Sequence, residues 1–133
     1  MSRYVEPVEQ LVTEIVVRDI ARSVEFYRRL GFECLRDGGD FVELTWEDHR
    51  LFLAEPSAYH DASSAAPAGG AGFPLANVRV MVADVDHYWK LANDAGARVV
   101  VPIGDRHYGL RDFIIADPDG FGVRFASLLP PSR

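Results

Sequence analysis

Cysteine is nearly absent: one residue, Cys34, stands in 133. A disulfide within the chain is therefore excluded, and no Cys pair or Cys/His cluster has the spacing of a zinc site. No apolar run approaches the roughly 18 residues that a membrane helix needs. The first twenty residues hold Glu6, Glu9, Glu14 and Asp19 without a long apolar stretch, so neither a signal peptide nor a transit peptide is readable there. Positive charge is in deficit, 14 Lys+Arg against 20 Asp+Glu, for a net charge of -6. Such a molecule repels phosphate backbones and anionic lipid. The expectation is a soluble cytoplasmic protein with neither a nucleic-acid nor a membrane partner. The 48% apolar and 26% charged residues sit near globular averages, and the length suits one domain, residues 1–133.

What is present is an internal repeat. Leu11 to Val17 is largely apolar and β-branched, Asp19 stands as a helix cap, Ile20, Val24, Tyr27 and Leu30 follow at helical spacing, and Gly31 closes the run. Val78, Val80 and Val82, then Asp84, then Val85, Trp89 and Ala92, then Gly96 repeat that order. The pairs Val17/Val82, Asp19/Asp84 and Gly31/Gly96 all lie 65 residues apart. Further on the offset reads as 72, matching Asp40-Phe41 with Asp112-Phe113 and Leu51–Ala54 with Val123–Ala126. Seven extra residues of the second copy are thus expected around Pro102 to Arg111. Each copy reads as strand, helix and three strands, about 11–55 and 75–127, joined by an Ala-, Gly-, Ser- and Pro-rich connector, 56–74. The fold expected is α+β, with two βαβββ modules forming a curved mixed sheet around a concave cavity.

The stretch Asp19-Ile-Ala-Arg-Ser23-Val-Glu-Phe26-Tyr27-Arg-Arg-Leu30-Gly31-Phe32, with Val82-Ala-Asp84-Val-Asp86 and Asp117-Pro118-Asp119-Gly120, resembles the vicinal oxygen chelate superfamily of glyoxalases, bleomycin-resistance proteins and extradiol dioxygenases. The resemblance implies a metal-ligand position on the first and last strand of each module. Carried over residue by residue, these positions are Val12, Phe52, Asn77 and Arg124. A divalent cation needs several imidazole or carboxylate donors, and this set offers none beyond the weak amide of Asn77. The sequence therefore resembles most the metal-free, bleomycin-resistance-like branch, for which the resemblance implies a homodimer and no cofactor.

Strand alternation places Val12, Glu14 and Val16 on one face, with Arg50, Phe52 and Ala54, Asn77, Arg79 and Met81, and Gly122, Arg124 and Ala126. Ile15, Val17, Val78, Val80 and Val82 take the other face, beneath helices. Apolar walls with a few polar groups suit a bulky organic guest. The ligand-binding set expected is Val12, Glu14, Trp46, Phe52, Tyr59, Asn77, Arg79, His107, Tyr108, Phe113 and Arg124, with no catalytic residue and no metal ligand assigned. For Glu14 with Arg124 or Arg79 the competing reading is a simple charge pair, whereas Phe41 and Phe113, repeated in both copies, read as core more than as ligand contacts. Cys34 reads as a small buried hydrophobe, His49 and His87 as solvated, and Asp117–Gly120 as a tight turn. Function follows as metal-independent sequestration of a bulky, partly aromatic small molecule such as an antibiotic, by a binding protein more than an enzyme. The alternatives are a metal-independent lyase, isomerase or cyclase with Glu14 as base, and a metal enzyme with relocated ligands such as His107 or Glu55.

Overall fold

A computed structural model of the chain describes residues 4–58, 74 and 76–131. The chain divides into two compact units, residues 1–67 and 68–133. In the first, a one-turn helix α1 (Pro7–Gln10) precedes β1 (Thr13–Val16), α2 (Ile20–Arg29), β2 (Glu33–Asp37), β3 (Phe41–Trp46) and β4 (His49–Ala54). In the second come β5 (Asn77–Met81), α3 (Val85–Asp94), β6 (Arg98–Asp105), β7 (Leu110–Ala116) and β8 (Gly122–Leu128). Each unit is a βαβββ module with its own four-stranded mixed sheet, in the orders β1-β4-β3-β2 and β5-β8-β7-β6. The first strand runs parallel to the last in both, and the other pairs are antiparallel. Among the described residues no helix is long and apolar enough to cross a membrane.

Both helices begin as the spacing predicts. The Asp19 carboxylate accepts from the Arg22 amide at 3.1 Å and that of Asp84 from the His87 amide at 3.3 Å, satisfying first-turn donors that lack a helical partner. A second capping contact comes from the end of the sheet. The Glu55 carboxylate accepts from the Ile20 amide at 2.8 Å, and the Ser127 hydroxyl accepts from the Val85 amide at 2.9 Å while donating to the Val82 carbonyl at 2.7 Å. Gly31 and Gly96 end the helices at positive φ, where other residues are strained.

Under each helix the sheet presents its apolar face. In unit 1 Ile15, Val17, Val42, Leu44, Leu51 and Leu53 are buried together with Tyr27 of the helix and Leu30 at its C-cap. In unit 2 Phe113 and Phe125 stack at 5.6 Å, and α3 adds Trp89 edge-on to Phe113 and Tyr88 stacked on Phe125. Strand period two then sends the alternate residues to the face turned away from the helix, here the distal face.

The register corrects the repeat in one place. Phe52 and Arg124 are equivalent, 72 positions apart, but Phe52 faces Glu43 while Arg124 faces Ile114, so β3 and β7 correspond at an offset of 71. Phe41 is thus the counterpart of Asp112, not of Phe113. Six of the extra residues lie in the β6–β7 hairpin, and one lies in the Asp117–Gly120 turn, where Gly120 takes positive φ. Cys34 is exposed on β2, an edge strand exposed at every residue, and is not the buried hydrophobe expected.

Candidate functional site

The distal face of unit 1 is aromatic and acidic. Glu14 on β1 lies directly beside Phe52 on β4, and Glu43 on β3 lies on its other side. Phe41 meets Phe52 edge-to-face at 5.2 Å, and both rings are half-buried. Phe41 therefore belongs to this face and not to the core beneath the helix. Glu43 is bound by Arg36 at 2.8 Å. Val12, two residues before Glu14, takes the same face by alternation.

The distal face of unit 2 is built on a buried carboxylate. Asp112 is 2% exposed and occupies the position that Phe41 holds in unit 1. One of its oxygens accepts from Arg106 Nε at 2.7 Å. The other accepts from Arg124 Nε at 2.9 Å, Arg124 Nη2 at 2.6 Å and the Tyr108 hydroxyl at 3.0 Å. The Arg124 guanidinium lies 5.6 Å from the Tyr108 ring centre, over its face, and donates to its hydroxyl at 3.2 Å. Burial alone would raise the Asp112 carboxyl, but the hydrogen bonds from Arg106, Arg124 and Tyr108 outweigh it and hold the group below the ordinary carboxylate range. Gly104, directly across from Asp112 on β6, leaves the room that the Arg106 guanidinium fills: a Cβ there would meet Arg106 Nη1 at 3.1 Å.

Seven of the eleven expected ligand-binding residues fall on the two distal faces. Val12, Glu14 and Phe52 share the distal face of unit 1, while Asn77, Arg79 and Arg124 share that of unit 2, with Tyr108 reaching it from the hairpin. Two residues do not belong. Phe113 is wholly buried against Trp89 and Phe125, on the helix side, because it is one residue out of phase with Asp112. Trp46 likewise follows Val42 and Leu44 onto the helix side, edge-on to Phe32 at 5.1 Å. His107 is exposed at the hairpin tip, its ring against that of Tyr108. Tyr59 lies outside the described residues. Sequence reasoning missed Asp112, whose partner Arg124 had been assigned to Glu14 or left to the ligand. The signal was there: the turn after β7 is one residue longer than that after β3, which shifts the repeat by one and turns Asp112 towards Arg124.

The four positions implied for metal binding do not fit a divalent cation. Val12 and Phe52 have no lone pair to give, and Arg124 carries a positive charge held by Asp112. Among the described residues no group of three His, Cys, Asp or Glu side chains converges.

A family model described as the Glyoxalase/Bleomycin resistance protein/Dioxygenase superfamily matches residues 9–125. Among solved structures, a protein of unknown function from Agrobacterium tumefaciens str. C58 is 27% identical with a TM-score of 0.76, covering 95% of this chain and 98% of that one. TioX from Micromonospora sp. ML1 is 26% identical with a TM-score of 0.70, covering 90% and 98%. A glyoxalase/bleomycin resistance protein/dioxygenase family enzyme from Burkholderia phytofirmans PsJN, 21% identical with a TM-score of 0.72 over 89% and 97%, shares the fold. Comparison with curated proteins finds no match.

Proposed function

The chain belongs to the glyoxalase/bleomycin resistance protein/dioxygenase superfamily, and from that premise we propose that it binds and sequesters a bulky, partly aromatic small molecule, of the kind typified by antibiotics, without a metal ion. One observation carries the reading: Phe52 and Arg124 occupy corresponding positions on the last strands of the two modules, and one is a ring packed against Phe41 while the other is a guanidinium fixed by Asp112. Where the resemblance implies cation ligands, unit 1 offers a stacking surface and unit 2 a hydrogen-bonding one. Flat guests gain about 0.5–1.5 kcal/mol per ring contact beyond burial.

Calorimetric titration of planar aromatic antibiotics into protein purified without chelator tests this. The expected result is stoichiometric binding, weakened about three- to tenfold by Phe52→Ala, a factor corresponding to one lost ring contact. Stoichiometric zinc, nickel, iron or manganese in the purified protein would falsify the proposal. The same reading expects a homodimer, which light scattering reports as twice the chain mass.

A second reading rests on Glu14 lying directly beside Phe52: a metal-independent lyase, isomerase or cyclase in which Glu14 removes a proton. Glu14→Gln separates the two. Unchanged binding and no turnover by either form leaves the binding protein standing, whereas turnover by the parent that the variant loses makes it an enzyme.

A further inference from the structure

The distal face of unit 2 carries more positive charge than its own carboxylate neutralises. Arg79 and Arg124 are direct neighbours on the parallel strands β5 and β8, which stand about 4.8 Å apart. Like charges so placed repel. Arg106 and Arg124 share the carboxylate of Asp112, and Arg79 adds a third cation beside Arg124, in a molecule whose overall charge is -6. The donors of these groups are unequally used. Arg124 directs Nε and Nη2 at Asp112 and Tyr108, and its Nη1 has no hydrogen-bond partner among the described residues. Arg79 is exposed and has no ion-pair partner among them. The residues beside Arg124 on this face are Gly122, Ala126 and Ile114, which cannot compete for those donors.

We infer that Arg79 and Arg124 form a binding site for an oxyanion, the carboxylate or sulfonate of an otherwise aromatic guest. A planar guanidinium fork matches a carboxylate in two parallel hydrogen bonds. Arg124 cannot swing away to follow a ligand, because Asp112 and Tyr108 fix it; it is pre-organised, and Arg79 is the adjustable arm. The site rests on the binding function proposed above and narrows its ligand to an anion.

Two probes keep the inference and that function distinguishable. The first is 2-naphthoate against its neutral analogue 2-naphthamide, by calorimetry. The expected result is about tenfold or greater preference for naphthoate, abolished in Arg79→Gln and partly restored in Arg79→Lys. The second is inorganic sulfate at constant ionic strength, which is expected to raise the unfolding temperature of the parent more than that of Arg79→Gln. That variant, relieved of repulsion, is expected to be the more stable of the two in the absence of sulfate. Equal affinity for the two naphthalenes, or a sulfate shift that Arg79→Gln leaves intact, overturns the anion site while leaving an aromatic-binding function standing. Sulfate protection lost in the variant, with neither naphthalene bound, keeps the anion site and counts against the aromatic guest.

Discussion

Asp112 concentrates the energetics of its module in one side chain. Replacing it by Asn keeps the shape but removes the charge that holds Arg106 and Arg124. Breaking a buried pair from one side costs about 3–5 kcal/mol, and because both arginines keep partial exposure the expected loss is nearer 2–3 kcal/mol. Urea denaturation measures it. The pH dependence has a definite sign. The folded carboxyl titrates below its unfolded value, so the unfolded chain binds the proton first as pH falls. Its contribution is complete above the ordinary Asp range, near pH 4, and is lost on descending through the folded value. Asp112→Asn is expected to flatten that acid limb, and a stability profile between pH 2 and 6 that is parallel in both proteins would count against it. A second prediction concerns Glu47, in the two-residue turn between β3 and β4, whose φ of 52° is left-handed. Such conformations cost non-glycine residues roughly 1–2 kcal/mol, so Glu47→Gly is expected to raise the urea midpoint despite the flexibility glycine adds to the unfolded chain.

Between elements, β8 approaches β5 so closely at Gly122 that a side chain there has no room. A Cβ on Gly122 would stand 2.7 Å from Asn77 Cβ and 2.8 Å from the Ala76 carbonyl oxygen, and neither backbone can give way without disturbing the parallel pair. Gly122→Ala is expected to destabilise by about 1–3 kcal/mol. Hydrogen exchange should report the loss first at Val78 to Met81, and unaltered protection there would show that the strands can part without cost. The elements were also what the sequence made most legible. Asp19, Asp84, Gly31 and Gly96 mark helix ends by local chemistry, and strand alternation separated Val80 and Leu53 from Arg79 and Phe52. Positions whose role depends on a partner distant in sequence were not legible. The match of Asp40-Phe41 with Asp112-Phe113 agrees in two residue types, yet the pairing register depends on turn length, and a slip of one residue exchanges faces. Phe41, read as core together with Phe113, was misplaced for that reason, and Cys34 because nothing local distinguishes an edge strand from a central one.

At the scale of the molecule, one framework is used twice with different linings. Helix caps from Asp19 and Asp84, sheet-end caps from Glu55 and Ser127 and the strand order are repeated, while the distal faces diverge into aromatic and ionic. Elemental analysis of chelator-free protein is expected to find less than one metal ion per chain, and added zinc is expected to leave the unfolding temperature unchanged. A zinc-dependent rise of several degrees would mean that donors beyond the four implied positions converge.

Arg106, Tyr108 and Asp112 lie within seven consecutive residues, and together they immobilise a side chain that sits twelve residues beyond them in the chain. The device is consequently compact: one short hairpin segment, with Gly104 making room for Arg106 and one exchange on the neighbouring strand, separates a fixed cation from a greasy patch. Grafting that heptapeptide onto the shorter first hairpin would be the direct way to learn whether a duplicated scaffold can be given a new preference without redesigning anything else.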